Sequence, residues 1–482
     1  MRVLVRALVT STIGAACSAL LVIPTSLPAG TAHALGPVAG APPAPVPGTT
    51  AVPAGGTQSL PLKAGLTPWA GGRGDSGVPL ELPDQDLTPF SLLGIVWTNP
   101  SDELPGTAQV RTRRAGGEEW TGWLDLDDHG EHGPDRQSAE YLGGEVRGGT
   151  APVWVGPSEG VEVRLRPWSP PGPEERVELP DGLRLELIDP GDSPDPGDSP
   201  ESGDSPGQAR NEETANGTAV DRAEEDRAAR TGTAAADQVP ADRPFVELRD
   251  FLRPATPAAH RTAPDAETPD DEAPGAMRSA QEGSAPRPAI TTRSGWGADE
   301  SRTRPDAPYG DSVKTVFVHH TAMSNQYSCE EAPSIIRGIH RYHVDSQGWR
   351  DIGYNFLIDR CGTVYEGRAG GTDRPVTGAH TLGFNHNSAG VALLGSFGGA
   401  EPTGASVRAL AELSAWKLGL DGRDAKGTWK RASTGGKYPK GTVVDLHNIS
   451  GHRDGFSTEC PGAHLYRQLP AVRDQAARLQ NS

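Results

Sequence analysis

Residues 190–287 separate two regions of different composition and limit how much of this chain can fold. The segment repeats Pro-Gly-Asp-Ser-Pro at 190–194 and 196–200, and continues as an acidic sequence rich in Ala, Thr and Pro. Such a composition buries too little apolar surface to offset the conformational entropy lost on folding. We therefore predict a disordered linker at 190–287 between two folded regions. The formal net charge of the 482-residue chain is −18, which argues against a nucleic-acid partner.

The N-terminal residues predict export. A basic start at 1–6 precedes an uncharged, mostly apolar stretch at 7–23 and the small-residue site Ala32-His33-Ala34. This order is typical of a secretory signal peptide, so we predict one at 1–34 and a secreted, extracellular protein. No other segment of the sequence is long and apolar enough to span a bilayer, so we expect no transmembrane span after cleavage. The Pro- and Ala-rich residues 35–59 predict a flexible tether.

Residues 60–189 predict an all-β, sandwich-like accessory domain. Short apolar or alternating runs such as 92–97, 152–155 and 183–188 are separated by Gly and Pro, and no helical period appears. The Trp residues of this region can pack in its core, which we favour, or form a glycan-binding face: Trp97, Trp120, Trp123, Trp154 and Trp168. Because we find no catalytic motif here, we expect the C-terminal region to fold and work alone.

Residues 288–482 predict a mixed α/β domain. Ser328 and Glu331 have the spacing of a capping box, and apolar residues follow on one helical face. Further helices alternate with β-prone runs, which indicates helices packed on a sheet. Of the four cysteines, Cys17 is removed with the signal peptide, and Cys460 is assigned to the metal site described in the next paragraph. Cys329 and Cys361 remain as a pair. In an oxidising compartment we expect this pair to form a disulfide.

His452 and Cys460 lie eight positions apart in a segment too rich in Gly, Ser and Pro for regular structure. An apolar, β-prone run at 443–449 precedes it, and we expect a helix to begin at Pro461, where its positive end would favour the Cys460 thiolate. A third donor would come from His319 or His320 at the end of a predicted strand, where only one of the two can face a metal. The residues alone leave open which one, and also leave open a hydrogen-bonded loop histidine and a buried thiol.

Several motifs of this region occur in a familiar order. They include Val-His-His-Thr-Ala at 318–322, Gly-Trp-Arg-Asp-Ile-Gly-Tyr-Asn-Phe at 348–356, Gly-His-Arg-Asp at 451–454 and Cys-Pro-Gly at 460–462. Together they resemble the peptidoglycan recognition protein family, the zinc-dependent N-acetylmuramoyl-L-alanine amidases and their non-catalytic relatives. The resemblance implies that His319, His452 and Cys460 are ligands of Zn²⁺. It also implies that Tyr354 and Thr458 are catalytic residues and that His380 and Asn385 bind substrate.

The resemblance implies a secreted, monomeric amidase that hydrolyses the bond between the muramyl lactyl group and L-Ala of peptidoglycan. Zinc held by three protein ligands keeps an open position and can activate water against an amide carbonyl. An alternative is a peptidoglycan-binding receptor without catalysis, but such relatives commonly lack the thiol that Cys460 supplies here. A structural zinc domain would need a fourth protein ligand, and the matching motifs supply none.

Overall fold

The computed structural model describes residues 55–65, 77–83, 86–127, 132–168, 177–191 and 285–482. The predicted signal peptide at 1–34, most of the predicted tether at 35–59 and most of the predicted linker at 190–287 lie outside these described residues. Within the described part of the chain, no helix is both long and apolar enough to cross a membrane.

The N-terminal region is an all-β domain, as the sequence predicts. Its described residues form one short helix, α1 (Ala139–Leu142), and nine strands whose pairings are all antiparallel: β1 (Thr57–Pro61), β2 (Lys63–Ala64), β3 (Val78–Glu81), β4 (Phe90–Trp97), β5 (Gly106–Arg114), β6 (Leu124–Leu126), β7 (Gly148–Gly149), β8 (Val153–Pro167) and β9 (Arg184–Ile188). The long strand β8 pairs with β4 near its start and with β3 and β5 further along. Residues from the start and from the later part of β8 line one hydrophobic core, which gives the sandwich-like arrangement.

Strand β4 is buried on both faces. Successive side chains of a strand point to opposite sides of its sheet. Leu93 and Ile95 enter the core of the β domain, whereas Leu92 and Val96 enter a second core that also contains residues of the C-terminal region. The run at 92–97 therefore lacks the polar residues of a strand that faces water on one side.

The C-terminal region is a mixed α/β domain around a six-stranded sheet. Its sheet order is β10-β13-β12-β14-β11-β17, and all neighbours are parallel except the hairpin β12–β13. The strands and helices are β10 (Ile290–Thr291), β11 (Thr315–His320), α2 (Ala332–Arg341), β12 (Phe356–Ile358), β13 (Val364–Glu366), β14 (Ser388–Leu393), α3 (Gly404–Gly419), β15 (Thr428–Ala432), β16 (Val443–His447), β17 (Ile449–Gly451), α4 (His452–Gly455) and α5 (Ala463–Gln480). Helices α3 and α5 share one core with the sheet, and α2 lies in the other.

The segment before the metal-binding motif differs from its prediction. The run 443–449 forms two strands in separate sheets, β16 paired with β15 and β17 paired with β11. Asn448 lies between them, and its backbone N–H donates to the Gly427 carbonyl while its Nδ2 donates to the Asp424 carbonyl. The interruption arises because Asn448 is held by this neighbouring turn.

Two further expectations for residues 451–462 are wrong. The segment is not wholly irregular, because His452–Gly455 forms the single-turn helix α4. The following helix begins at Ala463 and not at Pro461. Gly462 precedes it with a φ of 87°, a left-handed conformation outside the helical region, so the helix cannot extend back to Pro461.

The β domain packs directly on the C-terminal domain. A Cβ added to Gly94 would lie 2.6 Å from ring atoms of Tyr342, so β4 and the turn after α2 approach as closely as glycine allows. The Tyr342 hydroxyl lies 3.1 Å and 2.9 Å from the carbonyl oxygens of Ile95 and Thr150. The expectation that the C-terminal region folds and works alone stays a prediction, and it did not anticipate the second apolar face of β4.

Candidate metal centre

His319 lies at the end of β11, where the sequence predicts a donor. Val318 points into the core beneath α3 and α5, so the next side chain points to the opposite face of the sheet. The His319 imidazole is fully buried, and its Nδ1 lies 3.8 Å from Cys460 Sγ. His320 lies outside this cluster, and its Nδ1 accepts a hydrogen bond of 3.2 Å from the Phe397 backbone N–H. The geometry thus selects His319 from the pair that the residues alone could not separate.

A compact loop brings His452 and Cys460 together. His452 opens α4, and the Arg453 backbone N–H donates to the Cys460 carbonyl at 3.0 Å, which ties the two ends of the loop to each other. The His320 backbone N–H points at Cys460 Sγ at 3.4 Å and favours a thiolate there. The Cys460 N–H in turn donates to Thr458 Oγ1 at 3.1 Å. Thr458 therefore stabilises the loop that carries the thiol.

A fourth donor comes from the β domain. His132, His319, His452 and Cys460 are all buried, and their donor atoms lie within 4.8 Å of one another. The His132 ring centroid lies 4.4 Å from that of His452 and 5.2 Å from that of His319. The sequence prediction missed His132, since it sought a fourth donor only among the C-terminal motifs. The one available signal was the pair of histidines in Asp-His-Gly-Glu-His-Gly at 128–133.

Buried polar side chains support the His319 ring from behind. His319 Nε2 lies 3.3 Å from His380 Nδ1 and 3.5 Å from Thr381 Oγ1. Burial, with a contribution from the Arg368 and Arg431 charges, lowers the pKa of His380 to about 3. His380 is therefore neutral near pH 7, and contacts at Nε2 leave His319 Nδ1 facing Cys460. Outer-shell partners of this kind commonly orient a metal-binding histidine.

Tyr354 and Thr458, the predicted catalytic residues, line one cavity of about 560 Å³ beside the cluster. His132 and Cys460 line the same cavity, and Asp127 adds a carboxylate from the β domain. The Tyr354 ring is 3% exposed and its centroid lies 5.5 Å from that of His319. The cavity therefore joins the donor cluster, the tyrosine and the β domain in one site.

His380 and Asn385, the predicted substrate-binding residues, lie in the buried layer behind the cluster, at 0% and 1% exposure. Asn385 Oδ1 accepts from the backbone N–H groups of His380 and Thr381 at 2.8 Å and 2.9 Å. Its Nδ2 donates to the Gly133 carbonyl of the β domain at 2.8 Å. In this arrangement both side chains contact protein, and their role toward substrate stays a prediction.

The disulfide Cys329–Cys361 is present, as the sequence predicts. It joins the residue after the Ser328 cap of a short 3-10 helix to the turn between β12 and β13, with Cα atoms 6.2 Å apart. The capping box of Ser328 and Glu331 is also confirmed. The bridge therefore fixes the start of the α2 segment to the hairpin that follows Tyr354.

The donor set fits zinc. Zinc accepts imidazole nitrogen and thiolate sulfur, and the donors of a tetrahedral site with bonds of about 2.0–2.3 Å lie roughly 3.5 Å apart. The four donor atoms, within 4.8 Å of one another, need only a small contraction to reach that geometry. The three histidines of the cluster are buried, and imidazole nitrogen is a common metal donor.

Comparisons with known proteins agree with this domain division. Residues 309–463 match the family described as N-acetylmuramoyl-L-alanine amidase, and residues 44–190 match the family described as Rv3811 N-terminal galactose-binding domain-like. Peptidoglycan-recognition protein SC2 of Drosophila simulans is 33% identical over 182 residues, which are 37% of this chain and 84% of that protein. The N-acetylmuramoyl-L-alanine amidase of Homo sapiens is 34% identical over 190 residues, which are 38% of this chain and 28% of that protein.

Among solved structures, "Drosophila PGRP-LB wild-type" aligns with 38% of this chain and 93% of that chain, at 26% identity and a TM-score of 0.31. The relationship to SC2 extends over most of that relative, and the amidase family match at 309–463 contains His319, Tyr354 and His452. On the strength of this sequence relationship, the chain belongs to the family of N-acetylmuramoyl-L-alanine amidases and peptidoglycan-recognition proteins.

Proposed function

We propose that this protein is a zinc-dependent N-acetylmuramoyl-L-alanine amidase that hydrolyses the amide between the MurNAc lactyl group and L-Ala of peptidoglycan. The observation that carries the proposal is the buried group of His319, His452 and Cys460 next to a cavity that Tyr354 also lines. A receptor that only binds peptidoglycan has no need of a buried thiol among histidines. The two curated relatives named above include an N-acetylmuramoyl-L-alanine amidase, which supports the same reaction.

The chain's own residues have separate tasks in this reaction. His319, His452 and Cys460 would hold the zinc ion, and His380 and Thr381 orient His319. When bound, zinc supplies Lewis-acid chemistry, which polarises an amide carbonyl and activates water. Tyr354 faces the same cavity, where its hydroxyl can donate a hydrogen bond to the charge that develops on the carbonyl oxygen. The Thr458 hydroxyl positions Cys460 by accepting a hydrogen bond from the Cys460 backbone N–H.

We further propose that the protein acts outside the cytoplasm. The signal-peptide pattern at 1–34 and the disulfide Cys329–Cys361 support this location, because disulfides persist in oxidising compartments. N-terminal sequencing of protein recovered from the culture medium or cell wall would test it, with Leu35 expected as the first residue. Recovery of uncleaved protein from the cytoplasm alone would contradict secretion.

The reaction is tested by mass analysis of purified peptidoglycan incubated with the zinc-loaded full chain. Amidase action releases peptides that carry a new L-Ala amino terminus and leaves glycan with a free lactyl carboxylate. The assay compares the wild type with His132→Ala, because His132 lies in the donor cluster. Cys460→Ser is then introduced into the wild type and into the His132→Ala variant. Release of peptide that depends on Cys460 supports the amidase. Binding to peptidoglycan without release in either background would instead identify a recognition protein.

A further inference from the structure

One loop of the β domain, residues 132–135, reaches the donor cluster of the C-terminal domain. We infer that His132 is a fourth protein ligand of the zinc site, and that the loop 132–135 closes the site and keeps the amidase latent. The inference rests on the function proposed above, since it concerns the same zinc. It assigns to the accessory domain a role in the metal centre itself.

The first argument is the number of donors. A catalytic zinc site uses three protein ligands and keeps one position for water or substrate, whereas four protein ligands make a closed site. His132 is 8% exposed, and its donor atom lies within 4.8 Å of the donors of His319, His452 and Cys460. The amidase residues supply three of these donors and the β domain supplies the fourth. With His132 in place, the position that the reaction requires is taken.

The second argument is that the same loop is bonded to the segment that supports the donor cluster. Asp135 Oδ1 accepts from the Gly383 backbone N–H at 2.8 Å and from Asn385 Nδ2 at 3.0 Å. Asn385 Nδ2 also donates to the Gly133 carbonyl at 2.8 Å, so both of its amide hydrogens point at the loop. The Gly133 N–H donates to the Ala379 carbonyl at 3.2 Å. The loop therefore bonds to the segment 379–385, which carries both predicted substrate-binding residues.

The third argument is that the loop is not a loose insertion. Five residues after Asp135, the Glu140 carboxylate forms two contacts of 2.9 Å and 3.0 Å with the Arg368 guanidinium, and both side chains are almost fully buried. The Arg350 backbone N–H donates to the same carboxylate at 2.9 Å. Together with the packing of Gly94 on Tyr342, these contacts hold the β domain in the position from which His132 reaches the metal. Opening the site requires at least this loop to leave.

A different role for His132 makes the opposite prediction. Its ring centroid lies 5.8 Å from that of Tyr354, and it lines the cavity, so a proton-transfer role during catalysis is the competing explanation. Replacing a catalytic histidine lowers turnover, whereas replacing a blocking ligand raises it. The two roles also differ without any substrate, because only a ligand changes the coordination of the bound metal.

The first test uses the full chain loaded with Co²⁺, whose visible absorption reports coordination. We expect His132→Ala to change this spectrum and to weaken zinc binding about tenfold or more, since even outer-shell changes cost about 10–100-fold in affinity. We also expect azide to shift the cobalt spectrum of the variant at concentrations that leave the wild type unchanged. His386→Ala, which removes an exposed histidine beside Asn385, is the matched control and should behave as the wild type. Identical spectra and azide responses for wild type and His132→Ala would overturn the ligand assignment.

The second test measures release of peptide from peptidoglycan. We expect His132→Ala to act about tenfold faster than the wild type or more, and a slower variant with a changed cobalt spectrum would overturn latency in favour of catalysis. Asp135→Ala retains all four donors but loses the bonds to Gly383 and Asn385, so it should gain azide access even if His132→Ala folds poorly. Should no form release peptide, the proposed amidase function fails. The cobalt spectra and azide access would then still decide whether His132 is a ligand.

Discussion

Glu140 of the β domain and Arg368 of the amidase domain form a buried ion pair that joins the two domains. Their side chains are 4% and 2% exposed, and the Arg368 backbone N–H also donates to the Tyr354 carbonyl at 2.8 Å. The pair thus links the docking of the β domain to Tyr354, which lines the cavity. Buried pairs of this kind do not guarantee stability, but removing one partner leaves an uncompensated charge.

We predict that Glu140→Gln lowers the free energy of unfolding of the full chain by about 3 kcal/mol, because the Arg368 charge stays buried without its counterion. Chemical denaturation of the zinc-free protein measures this change. The control is Glu159→Gln, which breaks the partly exposed pair with Arg113 on the β domain alone. It should cost about 1 kcal/mol or less. Equal effects of the two substitutions would show that the domain contact adds nothing to stability.

Cys460→Ser is expected to weaken zinc binding while the fold persists, because only the donors of His132, His319 and His452 remain. A serine hydroxyl does not ionise near pH 7, so it replaces a thiolate ligand with a poor donor. Metal analysis of the purified protein, with far-UV circular dichroism to verify folding, measures the outcome. Ser457→Ala, three positions before Cys460 in the same loop, is the control and should retain metal. A Cys460→Ser protein that holds zinc against a competing chelator as tightly as the wild type would contradict the assignment of Cys460.

Tyr354→Phe deletes one hydroxyl and keeps the ring that packs near His319. If the hydroxyl stabilises charge on the carbonyl oxygen, kcat should fall by about 100-fold or more, the usual effect of losing one such donor. Zinc content and thermal stability should change little. The comparison is best made in the His132→Ala background, where we expect the site to be open. An unchanged kcat would mean that Tyr354 only forms the cavity wall.

Asp351 gives a pH-dependent contribution to stability. Burial alone would raise its pKa, but hydrogen bonding to His340 and the charge of Arg293 outweigh this and lower the pKa to about 2, against an ordinary value of 3.8. A lowered carboxyl pKa means that the stabilisation is present above pH 4 and is lost as pH falls from about 4 to about 2.

We therefore expect Asp351→Asn to cost about 2 kcal/mol at pH 6, since one pKa unit corresponds to about 1.4 kcal/mol, and less as the pH approaches 2. Urea unfolding of wild type and variant, both with chelator, gives the difference at each pH. Asp474→Asn is the control, because this carboxylate is exposed and pairs with Lys426 on the surface. A difference between wild type and Asp351→Asn that stays constant down to pH 2.5 would contradict the linkage.

Three of the four side chains that cluster in the structure are among those predicted from the sequence, for a physical reason. His319, His452 and Cys460 carry uncommon chemistry in short motifs, and the family resemblance relates those motifs to one another. The apolar sequence of strand β11 also indicates that the strand is buried. The side of the sheet to which His319 points therefore follows once the sheet is known. Local backbone detail is harder to predict, and the start of α5 at Ala463 depends on the left-handed Gly462.

The contribution of His132 could not be predicted in the same way. Its contact with His319 spans almost two hundred positions and depends on how two domains dock, which no local pattern encodes. The sequence of β4 nevertheless indicates that the two domains pack together. Leu92 and Val96 are apolar on the face that a lone sandwich would expose, and an apolar second face indicates that another element covers it.

The close packing of Gly94 on Tyr342 has a thermodynamic consequence for regulation. Any signal that frees the loop of His132 by lifting the β domain must supply the free energy with which β4 packs on the turn after α2. A molecule that binds the docked and the lifted β domain equally well releases nothing, however tightly it binds. Each factor of ten in preference for the lifted form supplies about 1.4 kcal/mol toward opening. If the proposed latency holds, the difference between two affinities sets the proposed amidase activity, and a wall component that binds strongly to both forms would leave the protein inactive.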